Sequence, residues 1–199
     1  MALPESKKIT LLDLANPLNS ADQIPVVQDG VTKRATVDQV TDATNTSCQC
    51  TLVSRSDSSS TPATTDEFYF ETWQMPANTL STDGSWLEII AYGTNGANNN
   101  AKTLKMYFGS TAIYTQNTAT LSGRDWELKA IVQRSNATIQ KATAYCPVFQ
   151  SNQSELTIPT EDLTTDVAIS VSGQNNVASA GDLNCEGFII RLNKLDANS

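Results

Sequence analysis

From residue 66 onward, apolar and polar side chains alternate with a period of two. Residues 67–74 put Phe68, Phe70 and Thr72 on one side and Tyr69, Glu71 and Trp73 on the other. Residues 86–92 set Leu87, Ile89 and Ala91 against Trp86, Glu88 and Ile90. Residues 102–108 set Leu104, Met106 and Phe108 against Lys105 and Tyr107. The rhythm recurs in Trp126, Leu128, Ala130 and Val132, in Val167, Ile169 and Val171, and in Phe188, Ile190 and Leu192. Successive side chains of a strand point to opposite faces, so each run predicts a strand with one buried face. Runs at 112–115 and 139–149 bring the expected number to about eight. Between them lie turn clusters, including Ser81-Thr-Asp-Gly-Ser85, Leu121-Ser-Gly-Arg124 and Gly173-Gln-Asn-Asn176. No helical stripe longer than about two turns follows residue 45. The expected fold is all-β: a jelly-roll-like sandwich of two antiparallel sheets. A seven-stranded immunoglobulin domain is disfavoured, because no Cys–Trp–Cys spacing is present.

The chain before residue 66 reads differently. We expect an extended N-terminal arm over 1–47, a polar connector over 48–65 and the jelly-roll domain over 66–199. The arm clusters Ile9, Leu11, Leu12, Leu14 and Leu18, then Ile24, Val26 and Val27, broken by Pro17 and Pro25. So short a segment cannot bury these groups by itself. Leu11, Leu14, Leu18, Ile24 and Val26 are therefore candidates for anchoring the arm on another chain. Asp29-Gly30 predicts a tight turn, and Lys33 and Arg34 beside it can pair with acidic groups on that chain. Thr36-Val-Asp-Gln39 matches a capping box and predicts a short helix over 37–41. The connector is rich in Ser and Thr, with little to pack, and reads as a loop or spacer.

Composition narrows the function. Charged residues make up 17% of the 199 and apolar ones 39%, against roughly a quarter and a half in ordinary globular domains. A net charge of −8 repels phosphate backbones, so nucleic acid is not an expected partner. The absence of histidine removes every Ser-His-Asp and Cys-His arrangement and the commonest metal ligand. No apolar run approaches the 18 or so residues of a membrane helix, and no signal peptide is expected after Lys7 and Lys8. No membrane partner follows, and the Asn-x-Ser/Thr matches at Asn45, Asn136 and Asn152 read as chance.

Four places hold candidate chemistry. Asp125 and Glu127 flank Trp126, and paired carboxylates hydrolyse glycosides when suitably spaced; a solvated strand face is the favoured reading. Glu161, Asp162 and Asp166 share one loop, as calcium ligands do, yet match no EF-hand spacing. Tyr92 with Asn95, Asn98, Asn99 and Asn100 forms a candidate glycan-binding loop, an aromatic ring beside amides, set against a plain solvated hairpin tip. Gly93 and Gly96 are followed by no Gly-Lys-Ser/Thr, so they make no phosphate loop. Trp73, Trp86 and Trp126 are expected in the core or an interface. No enzyme activity, catalytic residue, metal or cofactor is expected.

Two stretches resemble structural proteins of tailed bacteriophages. In the arm, Ile9-Thr-Leu-Leu-Asp-Leu-Ala15 precedes Asp22-Gln-Ile-Pro-Val-Val-Gln-Asp-Gly-Val-Thr-Lys-Arg-Ala-Thr-Val37, similar to the attachment segments that begin many phage fibre and spike proteins. In the main domain, four runs follow in order: Trp73-Gln-Met-Pro-Ala-Asn-Thr-Leu80, Asp83-Gly-Ser-Trp-Leu-Glu-Ile-Ile-Ala-Tyr92, Lys102-Thr-Leu-Lys-Met-Tyr-Phe-Gly109 and Trp126-Glu-Leu-Lys-Ala-Ile-Val-Gln-Arg134. They resemble a jelly-roll module common in phage and prophage proteins. The resemblance implies a homotrimer anchored by its N-terminal segment to the major capsid protein or other virion proteins, assembled in the host cytoplasm. It implies a capsid cement, decoration or head-fibre protein, with a short tail fibre recognising host glycans as the alternative. No repetitive shaft is present, which favours a compact knob on the outer surface of the capsid or on the tail. Cys48 and Cys50, too close to bridge each other, read as free thiols in a reducing cytoplasm, favoured over a metal-binding or cross-linking cluster on the axis of such a trimer.

Overall fold

The computed structural model describes residues 23–28, 31–36, 49–118, 122–146 and 155–194, which contain thirteen strands and no helix. The chain divides into two compact units, Met1–Thr46 and Ser47–Ser199.

In the first unit, β1 (Gln23–Gln28) and β2 (Val31–Thr36) pair antiparallel, with Gln28 opposite Val31. That register suits the two-residue Asp-Gly connection between them. Part of the expected extended arm is thus a hairpin. Ile24 stands opposite Ala35, Val26 opposite Lys33, and Arg34 opposite Pro25. Leu11, Leu14, Leu18, Cys48 and the expected helix over 37–41 lie outside the described residues.

The second unit contains β3 (Gln49–Arg55), β4 (Ser59–Ser60), β5 (Glu67–Met75), β6 (Trp86–Asn95), β7 (Lys102–Phe108) and β8 (Thr111–Thr118). It continues with β9 (Asp125–Asn136), β10 (Ile139–Tyr145), β11 (Glu155–Thr157), β12 (Val167–Asn175) and β13 (Leu183–Asn193). One sheet runs β11-β10-β9-β6-β13-β3, with β4 also on β13, and the other runs β5-β12-β7-β8. Every pairing is antiparallel. The chain passes from sheet to sheet except from β3 to β4, which both pair with β13, and at the β7–β8, β9–β10 and β10–β11 pairs. The resulting orders, β3-β13-β6-β9 facing β5-β12-β7-β8, are those of an eight-stranded jelly roll. Strands β4, β10 and β11 are additions to it. The core lies between the sheets and is built from the alternating residues: Leu87, Ile89, Leu104, Met106, Phe108, Trp126, Leu128, Val132, Ile169, Phe188 and Ile190.

Two expectations are corrected. Residues 48–65 are no spacer, since β3 and β4 lie there and both pair with β13. Beyond β4, the Thr61 amide donates to the Leu183 carbonyl at 2.9 Å and the Gly181 amide to the Thr61 carbonyl at 2.9 Å. Strand β5 also does not alternate uniformly. Glu71 stands opposite Val171 while Tyr69 stands opposite Ser172, so Phe70 is an extra residue, a β-bulge. The bulge switches the parity: Phe70 and Met75 are buried and Trp73 packs on the core, while Tyr69 and Thr72 face solvent. Thr72 therefore does not share a face with Phe70.

Candidate functional site

The bulge shapes the outer face of the four-stranded sheet. Thr72, Ser170 and Tyr107 lie in one row across β5, β12 and β7, and Tyr69, Ser172 and Lys105 in the next. Together with Ser110 and Gly109 these rows bound a recess of about 330 Å³ lined by Tyr69, Thr72, Tyr107, Ser110 and Ser170. The Tyr69 and Tyr107 rings are 5.9 Å apart between centroids and inclined by 41°. Glu67 fixes this wall: one carboxylate oxygen accepts from Tyr107 Oη at 2.8 Å and Ser172 Oγ at 2.5 Å, the other from Lys105 Nζ at 2.8 Å. Burial pushes the Glu67 carboxyl up, but the Lys105, Ser172 and Tyr107 bonds outweigh it and hold it below the usual range. The Tyr107 hydroxyl is raised, by burial first and then by its bond to Glu67. At the rim, Glu161 accepts from the Ser110 amide at 2.7 Å and its hydroxyl at 2.9 Å. Gly109 has a φ of 60° and leaves the room that Glu161 occupies.

A second recess, of about 320 Å³, opens on the other sheet and is lined by Tyr92, Thr94, Asp125, Trp126, Glu127 and Glu186. It brings together the two carboxylates singled out from the sequence. Glu127, however, is paired with Lys129 at 3.0 Å, and Asp125 is exposed. Trp126 is buried and donates from Nε1 to the Thr94 carbonyl at 3.3 Å. Neighbouring Gly93 has no alternative, since a Cβ there would lie 1.8 Å from the Asn184 carbonyl oxygen.

The candidate glycan loop is divided. Tyr92 lines the second recess, whereas Asn95 is buried and only Asn99 is fully exposed among the four amides. Asn98 and Asn100 turn inward and donate to the two Asp182 oxygens at 2.5 and 2.9 Å. Lys102, 1% exposed, donates to Asn98 Oδ1 at 3.0 Å and to the Asn100 carbonyl at 2.9 Å. Burial pushes the Lys102 ammonium down, partly offset by Asp182. Asp182 is pushed up by burial, yet its bonds from Asn100, Asn98 and Ser179 and the Lys102 charge bring it below its ordinary value. Asn98 and Asn100 thus tie the loop to Asp182 and Lys102.

The acidic loop also serves the backbone. Asp162 caps the Thr164 amide at 3.0 Å and its hydroxyl at 2.7 Å, and Asp166 accepts from the Ala77 amide at 2.9 Å. With Glu161 on Ser110, the three carboxylates have three separate targets. Among the described residues no three Asp, Glu or Cys side chains gather as a metal site. Cys50 is exposed, while Cys146 and Cys185 are buried, and burial pushes the Cys185 thiol up to about 12.

Sequence reasoning missed the Tyr69–Tyr107 recess. The available signal was two tyrosines on the polar sides of their strands; the bulge that joins Tyr69 to Thr72 left none.

No protein-family model and no curated protein matches the chain. Solved structures with some similarity include the CBM2 module of the evolved Dit of Lactobacillus casei BL23 phage J-1, with TM-score 0.34 and 7% identity over 63% of this chain and 69% of that one. Another is a protein of unknown function from Shewanella oneidensis MR-1, with TM-score 0.33 and 15% identity over 75% and 77%. A third is VP2 of an infectious bursal disease virus subviral particle, with TM-score 0.32 and 13% identity over 94% of this chain and 42% of that one. Likenesses of this size define no family.

Proposed function

We propose that the chain is a structural protein of a bacteriophage virion: a homotrimeric capsid cement, decoration or head-fibre subunit that attaches through its N-terminal segment. It is not an enzyme. The observation that carries this reading is an apolar stripe on the outer face of β9, β10 and β11. Ile131 stands opposite Thr143, and Thr143 opposite Leu156, so the three share one face. Exposures are 47% for Ile131, 71% for Leu156 and 59% for Ile158, and Tyr145 lies alongside at 40%. Monomeric proteins rarely leave such a stripe in water. It meets an open edge, since β11 pairs only with β10 among the described residues. In a chain of charge −8, an apolar row flanked on its face by Lys129 and Lys141, with the neighbouring Glu88 paired to Arg191, is where copies meet with little repulsion. The hairpin unit, with its resemblance to attachment segments, serves as the particle anchor through Ile24, Val26, Lys33 and Arg34. The pairing of Glu127 with Lys129 supports a structural rather than a hydrolytic use of that face.

Sedimentation equilibrium tests the assembly. Three chains of 21.4 kDa give about 64 kDa. The double variant Ile131→Glu/Leu156→Glu is expected at the single-chain mass with an unchanged far-ultraviolet spectrum. A monomeric native chain, or a variant that stays trimeric, contradicts this interface.

A further inference from the structure

We propose that the recess formed by Tyr69, Thr72, Tyr107, Ser110 and Ser170 binds one or two rings of a neutral saccharide. At about 330 Å³ it sits at the small end of ligand pockets, which run from roughly 300 to 1,000 Å³. Its lining combines an aromatic plane with unpaired hydroxyls. Tyr69 is 51% exposed, and among the described residues its hydroxyl, like those of Thr72 and Ser170, has no hydrogen-bond partner. A sugar ring presents the matching chemistry, with C–H groups for the tyrosine face and hydroxyls that both donate and accept. A purely apolar ligand would strip water from these hydroxyls and return nothing.

Charge narrows the ligand further. The charged groups around the recess are Glu161 at its rim, bonded to Ser110, Arg55, which is paired with Glu71, and Glu67 and Lys105, which are paired with each other at 2.8 Å. Among the described residues the recess therefore has no unpaired cation for a phosphate, sulfate or acidic sugar, and the Glu161 carboxylate at its rim disfavours an anion. The wall is also held before any ligand arrives. Tyr107 is tied to Glu67 and Ser110 to Glu161, so little side-chain freedom is lost on binding. The β5 bulge is what makes the site, because without it Tyr69 and Thr72 would lie on opposite faces. The inference does not rest on the virion reading and holds wherever the chain resides.

Titration of the full ¹⁵N-labelled chain with lactose, cellobiose and N,N′-diacetylchitobiose tests it. At least one disaccharide is expected to give saturable amide shifts clustered at residues 69, 72, 107 and 170. Tyr69→Ala is expected to weaken that binding about tenfold or more, and Tyr69→Phe, which keeps the ring, by no more than about threefold. Thr72→Val removes one hydroxyl with little change of shape and is expected to weaken binding measurably. No saturable shift with any of the three up to about 50 mM overturns the proposal. So do shifts centred on Tyr92, or binding unaffected by Tyr69→Ala. A change of oligomeric mass in Tyr69→Ala would make this face a subunit contact, and the proposal would fall.

Discussion

Lys102 is the residue where burial and charge conflict most. It is 1% exposed, and desolvation alone would make an ammonium there costly. Its bonds to Asn98 and Asn100, and their bonds to Asp182, offset that cost. Lys102→Met keeps the aliphatic stem but leaves the Asn98 and Asn100 acceptors unpaired and Asp182 without its counter-charge. We expect a loss of about 2–4 kcal/mol in urea unfolding with an unchanged denaturant slope. Little of this was legible in the sequence. Asn98 and Asp182 are separated by 84 positions, and an amide-rich loop looks the same whether its amides face water or a buried ion. Leu128, Phe188 and Ile190 were legible because strict alternation needs no distant partner to be read.

At the scale of elements, β6, β7 and β9 follow the period of two, as β13 does from Phe188 onward, beyond a bulge between Cys185 and Gly187, and their buried faces are those the sequence predicts. Strand β3 was hidden because its residues flank the Ser-rich run and its pairing partner, β13, lies at the far end of the chain. The β5 bulge was hidden for a different reason: an extra residue is a property of two strands in register, not of either alone. The Glu67 cluster links β5, β7 and β12, and its pH dependence follows from its direction. The folded carboxyl lies below its ordinary value of 4.5. Its contribution is therefore full above that value and is lost as pH falls through the lower folded value. Native stability is expected to decline on acidification below about pH 5, while Glu67→Gln, weaker by roughly 1–2 kcal/mol at pH 7, declines less steeply. Thermal melts from pH 7 to pH 3 measure this, and parallel curves for the two proteins would contradict it.

For the whole molecule, two compact units carry separate tasks in the proposed reading. The jelly roll supplies a rigid body with an apolar stripe for its own copies. In that reading the N-terminal unit supplies the attachment, through Ile24, Val26, Lys33 and Arg34. The fold class was legible because many short alternating strands without helices admit few arrangements. The location of a binding surface was not, since an outer face becomes a site only when neighbouring strands bring their exposed residues together.

Location on the particle is the most direct measurement. Immunogold electron microscopy, with antibody raised against residues 66–199, is applied to particles purified from cells that produce the chain. Label on intact particles, lost when residues 1–46 are deleted from the chain, is the predicted result. Label confined to the unassembled soluble fraction, with bare particles, would contradict a virion structural role.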